Sequence, residues 1–274
     1  MPVVEGTINA HVEAALVEAL RSADAYYREK QIARARRDFA SLFLRQGSIV
    51  LADMERLVKT QWPAVQESVT AAVDAALADM EVKTGTTAAK AFARANLAGV
   101  EYGYKAGRRM IGIEGSFTLP HPQAVEWARV NGLVRAKVVN ETTRDEIRAM
   151  VVRGLDEGKS YAKVAREIKG KFSQYAVGQP QKHIASRAEL VAVTENAYAY
   201  ESGNRMLIDD LKATGLTLEK RWNVLDAGCC EICDENAAQD WIDSESAHVS
   251  GHDRPPAHPS CRCNETYQRR REGG

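Results

Sequence analysis

The residues best suited to chemistry are five cysteines that lie within 35 positions near the end of the chain, with none before Cys229. An odd number of cysteines clustered in this way is untypical of a disulfide framework and typical of a metal site. Soft thiolates with a nearby imidazole favour zinc, and structural zinc sites use four such ligands. The chemistry predicted from these residues is therefore the binding of a structural Zn²⁺ ion.

The spacing of the donors predicts one zinc ion held by four of five residues: Cys230, Cys233, His258, Cys261 and Cys263. Two thiolates three positions apart, as in Cys230-x-x-Cys233, point at one tetrahedral ion when they lie in a tight turn. One of the last three donors is left over, and the spacing does not say which. Cys229 is expected to be a bystander, because its neighbour Cys230 has the correct spacing.

A catalytic zinc ion would need an open coordination position and a general base. The zinc deaminase motif has Pro before its C-x-x-C pair, whereas Cys229 precedes Cys230 here, and the H-E-x-x-H motif is absent. We therefore expect a closed structural site and no enzyme. The alternative is a metal-dependent nuclease or toxin-like enzyme within residues 234–258. It requires four residues gathered around a second metal: His248, His252, Asp243 and Asp253.

The segment that must position the donors, residues 206–274, contains few large apolar side chains. Residues 218–225 alternate in polarity and predict a strand, and the chain is rich in turns from Asp226 onward. We expect a small α+β zinc-stabilised C-terminal lobe.

The rest of the chain predicts helices, so the expected fold class is mainly α. Residues 1–115 are rich in Ala, Leu, Glu and Arg with apolar residues every three or four positions, which predicts an elongated N-terminal helical bundle. Gly47 is expected to end the first helix, with Ser48 capping the next, and Gly85 to end a further one. Gly99, Gly103 and Gly107 share one helical face, which predicts close packing of another helix.

Residues 116–205 are expected to form a helical middle domain after a linker rich in Pro and Gly. Thr143-Arg-Asp-Glu146 has the pattern of a capping box at the start of a helix. Gly158 is expected to stop that helix and Ser160 to cap the next. A last helix is predicted from about Lys182 to Gly203.

The whole chain has no net charge, with 37 basic and 37 acidic residues, so its overall charge favours neither nucleic acid nor a membrane surface. Residues 129–188, however, carry 13 basic and 6 acidic residues. We predict weak, sequence-independent contact with the DNA backbone through Arg144, Arg148, Lys159, Lys163, Lys169 and Lys171. The alternative is that these residues form ion pairs and solvate the surface. No apolar run approaches the ~18 residues that span a bilayer, and we expect no secretory signal.

Three motifs occur in a fixed order along residues 120–265. The first is Asn140-Glu-Thr-Thr-Arg-Asp-Glu-Ile147 through Gly158-Lys-Ser160. The second is Arg187-Ala-Glu-Leu-Val-Ala-Val-Thr-Glu195. The third runs from Arg221-Trp222 through the C-x-x-C pair to Pro255-Pro-Ala-His-Pro-Ser-Cys-Arg-Cys263. Together they resemble the minor head morphogenesis proteins of tailed bacteriophages, the family named for the Mu F protein.

The resemblance implies a low-copy structural protein of the phage head (the virion) that is made in the host cytoplasm. Such a protein would associate with the portal protein, the major capsid protein or the scaffold protein. It would contribute to head assembly, DNA packaging or DNA delivery. The resemblance leaves the N-terminal helical region uncovered, and we expect that region to make the main contact with the head.

Overall fold

The computed structural model describes residues 2–62, 66–113, 122–177, 186–225 and 229–270, with side chains from residue 25 onward except Gln61 and Gln66. The helices are α1 Pro2–Leu57, α2 Gln66–Met110, α3 Pro122–Asp156, α4 Tyr161–Val177, α5 Arg187–Lys212 and α6 Glu231–Ala238, with a short 3-10 helix at Lys59–Gln61. The strands are β1 Leu218–Asn223, β2 Ile242–Asp243 and β3 Asn264–Arg269. The predicted fold class, mainly α with a small α+β C-terminal region, is confirmed.

The three strands form one antiparallel sheet in the order β2-β1-β3. Trp222 on β1 pairs with Glu265 on β3, and Glu219 on β1 pairs with Asp243 on β2. Burial alternates along β1, as the polarity of residues 218–225 predicts. The sheet therefore presents one face of β1, including the buried Trp222, to the segments that carry the cysteines.

Helices α1 and α2 are longer than the sequence predicts, because the expected breaks at Gly47 and Gly85 are wrong. Both glycines lie inside continuous helices. A Cβ atom at Gly47 would lie 2.7 Å from the Phe172 side chain, so Gly47 admits α4 closely against α1. The energy of that packing outweighs the modest helix-breaking tendency of glycine, which is about 1 kcal/mol.

The predicted capping box at Thr143 is also wrong, because Thr143 is buried in the middle of α3. Its hydroxyl donates to the carbonyl oxygen of Val139 at 2.8 Å and accepts from Arg187 at 3.3 Å. A threonine can bond to its own helix in this way, so the S/T-x-x-E pattern does not by itself mark a helix start. The helix does end before Gly158, whose φ of 62° suits glycine.

Helix α5 packs closely on the glycine face of α2, which confirms the prediction that another helix approaches α2 at these glycines. A Cβ atom at Gly103 would lie 1.9 Å from the carbonyl oxygen of Tyr200, and one at Gly203 would lie 2.0 Å from that of Val100. Neither position can accept a larger side chain without moving a backbone. Because α5 covers this face of α2, the glycines do not offer a free surface to another protein.

One large apolar cluster joins α1, α2, α3, α4 and α5 through residues such as Phe39, Phe92, Ile147, Phe172 and Ala192. The predicted boundary at residue 115 therefore does not separate two cores, and the boundary at residue 206 falls inside α5. We call these five helices the helical body. Residues 218–270 form what we call the C-terminal lobe. No helix in the described ranges is both long and apolar enough to cross a membrane.

Candidate metal centre

Two segments of the C-terminal lobe bring the predicted donors together. Cys230 caps the N-terminus of α6, and its carbonyl oxygen accepts from the backbone N–H groups of Cys233 and Asp234 at 3.0 Å each. A turn in which the N–H of Cys261 donates to the carbonyl oxygen of His258 at 3.1 Å carries the other donors toward β3. Ser260 takes a φ of 69° within this turn. The two segments thus bring Cys230, Cys233, His258 and Cys261 into one cluster.

The distances within the cluster suit a metal ion. The Sγ atom of Cys233 lies 3.7 Å from that of Cys261 and 3.9 Å from Nε2 of His258. Because zinc–sulfur bonds are about 2.3 Å long, two thiolates on one tetrahedral ion lie about 3.8 Å apart. All five cysteines are free rather than joined in disulfides. The cluster could therefore hold a metal ion.

The position of Cys229 differs from the expectation that it would be a bystander. Its Sγ atom lies 3.3 Å from the Sγ atom of Cys263, inside the cluster. The donor atoms form two groups of three, each with all its members within 4.8 Å of one another: Cys229, Cys233 and Cys263, and Cys230, Cys233 and His258. Sequence spacing missed Cys229 because a knuckle was assigned to the C-x-x-C pair alone.

His258 is oriented for binding by its own backbone. Its Nδ1 atom lies 2.9 Å from the carbonyl oxygen of Pro259, which can only accept a hydrogen bond. The proton of the neutral imidazole is therefore assigned to Nδ1, which leaves the lone pair on Nε2, the atom that faces Cys233. Fixing the imidazole through its other nitrogen is the usual way in which proteins hold a histidine ligand.

The thiols affect one another electrostatically. A hydrogen bond from Cys263 lowers the pKa of Cys261 to about 5. Burial, followed by the negative charge on Cys261, raises the pKa of Cys233 well above its ordinary value. The hydrogen bond to Cys261 and burial raise the pKa of Cys263 in the same way. The cluster thus tolerates one thiolate by itself, and a bound cation would be needed to stabilise several.

The turn that carries the second group of donors is attached to the helical body. The N–H of Ser260 donates to Oγ1 of Thr194 on α5 at 3.0 Å. The guanidinium of Arg262 lies 3.6 Å from the carboxylate of Glu189, also on α5. The backbone carbonyl oxygen of Arg262 accepts a hydrogen bond from Arg28 of α1 at 3.3 Å. Two segments that are about 66 positions apart in sequence therefore meet at the metal centre.

A buried polar cluster beside the metal centre was not predicted. Glu265 on β3 lies 2.7 Å from Nε2 of His248 and 3.6 Å from Nζ of Lys220, and its N–H donates to Glu201 on α5 at 3.1 Å. Burial, and then the charge of Glu265, raise the pKa of Glu201 to about 8. The sequence carries no spacing signal for this cluster, because its members come from four separate segments.

The four residues of the nuclease alternative are not gathered around a second metal. His248 is buried against Trp222 and Glu265, whereas His252 bonds to Ser250 at 2.9 Å. Asp243 accepts from the N–H of Glu245 and lies 3.3 Å from Arg270. Across the ranges that the structure describes, no metal-binding group contains any of the four.

Four of the six residues predicted to contact DNA form ion pairs: Arg144 with Glu81 at 2.6 Å, Arg148 with Asp74 at 3.2 Å, Lys159 with Glu157 at 2.7 Å and Lys171 with Glu146 at 3.0 Å. These pairs favour the alternative of a solvated surface for those four side chains. Lys163 and Lys169 are exposed on α4 and have no ion-pair partner among the described residues. DNA contact through these two lysines stays a prediction.

Comparison with known proteins adds no relative from which a function could be transferred: no family model, no curated protein and no solved structure matches the chain.

Proposed function

We propose that this chain is a structural minor head protein of a tailed bacteriophage or prophage, without enzymatic activity. It would act at the portal or in the procapsid during head assembly, DNA packaging or DNA delivery. The observation that carries the proposal is the contact between two of the motifs on which the resemblance rests. Thr194 of the α5 motif accepts from Ser260 of the P-P-A-H-P-S-C-R-C motif. If the motifs belong to one structural unit, they should contact each other in the folded chain, as these two do.

The metal centre supports a structural rather than a chemical role. Cys233, Cys261 and Cys263 are buried, and the centre is lined by thiols and one imidazole, the donor set of closed structural zinc sites. We propose Zn²⁺ as the ion, because soft thiolates disfavour the hard cations Mg²⁺ and Ca²⁺. Bound there, zinc would link α6 to the turn before β3 and so hold the C-terminal lobe on the helical body.

An exposed apolar stripe on α3 supports a role in assembly. Val130, Leu133, Val134 and Val138 are 45%, 52%, 55% and 47% exposed, and three of them are spaced four residues apart on the side of α3 that faces away from the core. Contiguous exposed apolar side chains commonly mark protein–protein contacts. The stripe lies in the part of the chain that the resemblance covers, whereas the glycines of α2 are occupied by α5.

The proposal is tested with the full-length chain and the portal, major capsid and scaffold proteins of the same virus. We expect it to be retained by at least one of them in pull-down assays and to be incorporated into procapsids. Val134→Glu should weaken retention at least tenfold. Val82→Glu is the matched control, because Val82 is 81% exposed and lies on α2 rather than in the α3 stripe. Failure to bind any of the three proteins or to enter procapsids would contradict the proposed function.

A further inference from the structure

Six donor side chains converge at the metal centre, which is two more than one tetrahedral zinc ion takes. They do not divide into four ligands and two outlying residues. They form two groups of three that share Cys233, one with Cys229 and Cys263 and the other with Cys230 and His258. The remaining donor, Cys261, lies 3.7 Å from Cys233.

A single ion does not account for this arrangement. One tetrahedral ion takes four donors, so any choice of four leaves two donors of the same cluster unused. Cys229 is the clearest case. Its sulfur lies 3.3 Å from that of Cys263, in the group that contains neither Cys230 nor His258.

We infer that the metal centre binds two zinc ions that share the thiolate of Cys233. This inference rests on the structural zinc site proposed above. One ion is bound by Cys229, Cys233 and Cys263, and the other by Cys230, Cys233 and His258. Two tetrahedral ions that share two thiolates need six donors in all, and we assign the second bridge to Cys261 because its sulfur lies 3.7 Å from that of the shared Cys233.

Charge also favours two ions. The five thiolates and two divalent cations leave a net charge of −1, whereas the same thiolates around one ion leave −3. Because several of the sulfurs are buried, the smaller net charge costs less to keep away from water. Each ion that binds displaces protons from its thiols to solvent, and no redox change is involved.

The test is the metal stoichiometry of the full-length chain, loaded with Zn²⁺ under reducing conditions and dialysed before elemental analysis. We expect two zinc ions per chain, and one per chain after Cys229→Ser. His252→Ala is the control, because His252 lies in the same lobe but outside both donor groups, and it should keep both ions. Loading with ¹¹³Cd²⁺ should give two thiolate-bound NMR signals that are coupled to each other through the shared sulfur.

The outcomes separate this inference from the proposed function. One zinc ion per chain, unchanged by Cys229→Ser, would overturn the second ion and leave a single structural site. Two ions that both survive Cys229→Ser would place the second ion elsewhere and overturn the inference as well. No bound zinc in the correctly folded chain would overturn the metal centre itself, whereas binding to head proteins is measured independently of all three results.

Discussion

The helical body and the C-terminal lobe are held together by different forces. The body buries a continuous apolar cluster that includes Phe39, Phe43, Phe92 and Phe172. In the lobe, Trp222 is surrounded by thiols and charged groups, whereas Leu218 and Tyr267 are buried against Leu207 and Ile208 of α5. Burial of apolar area stabilises the body without any cofactor. For a lobe with so small a core, we propose that a bound metal ion and satisfied polar contacts supply the stability that apolar burial supplies in the body.

This difference shows why the two regions tolerate change differently. In the body, a substitution removes one contact among many, and the remaining helices still pack. In the lobe, the donor atoms would act as a unit around a bound ion, because a tetrahedral site with one ligand removed holds its ion far less tightly. The predictions that follow test this contrast.

The largest effect is expected for Cys233→Ser, because Cys233 belongs to both donor groups. Structural zinc in small sites contributes about 10–16 kcal/mol at neutral pH. We expect loss of the bound metal and rapid proteolysis within residues 218–270, while the helical signal in circular dichroism falls only slightly. Val249→Ala, at an exposed position of the same lobe, should change neither the amount of bound metal nor the rate of proteolysis. Metal retention by the serine variant would show that Cys233 is not a ligand.

The next largest effect is expected for Phe172→Ala in the body. Phe172 fills the space above Gly47 and is buried in the main apolar cluster. Truncating a buried phenylalanine costs about 3–5 kcal/mol, through lost burial and the cavity that remains. Chemical denaturation should show this loss in the free energy of unfolding, with the zinc content unchanged. If the variant lost zinc, metal binding by the lobe would depend on apolar packing in the body, which would contradict the proposed difference between the two regions.

A pH-dependent effect is expected for Glu201→Gln at the contact between the regions. Burial and Glu265 raise the pKa of Glu201 from 4.5 to about 8, against smaller opposing effects of Asn204 and Arg28. Because the folded-state pKa is the higher one, the stability that protonated Glu201 contributes is complete below pH 4.5 and is lost as the pH rises to about 8.

The glutamine side chain stays neutral at every pH, so the variant does not lose stability in this way as the pH rises. The difference in unfolding free energy between the natural chain and the variant should therefore change by at most about 1.4 kcal/mol per pH unit between pH 5 and 8, to the disadvantage of the natural chain as the pH rises. Comparing the two chains at each pH removes the effect of zinc binding, which both share. A difference that is constant with pH would contradict the protonated state of Glu201.

The smallest effect is expected in DNA binding by the body. Replacing both Lys163 and Lys169 by Glu should abolish the weak binding of a random DNA duplex, measured by fluorescence anisotropy at low salt. The logarithm of the binding constant of the natural chain should fall with a slope of about −0.9 per phosphate contact against the logarithm of salt. Lys137→Glu on α3 is a control in which one lysine is reversed, and it should change binding little. No binding of the natural chain at low salt would leave these lysines with a purely solvating role.

The sequence predicted the elements with strong local signals and missed features that depend on contacts between segments. Cysteine spacing identified a cluster that could hold a metal ion, and alternation identified β1. The continuity of α1 through Gly47 was not predictable, because it depends on Phe172, which is 125 positions away in sequence. The same holds for Cys229, whose nearest sulfur belongs to Cys263, and for Glu201, whose charged neighbour is on β3. Local propensity gives no information on such pairs.

Hydrogen exchange of the full-length chain, with and without a strong zinc chelator, tests the central claim most directly. The account predicts that chelation removes protection from the backbone amides of α6, the turn at 258–261 and β3. The amides of α1, α2 and α5 between residues 25 and 212 should stay protected under the same conditions. Equal loss of protection in both regions, or none in the lobe, would contradict the claim that metal binding organises the lobe while apolar packing holds the body.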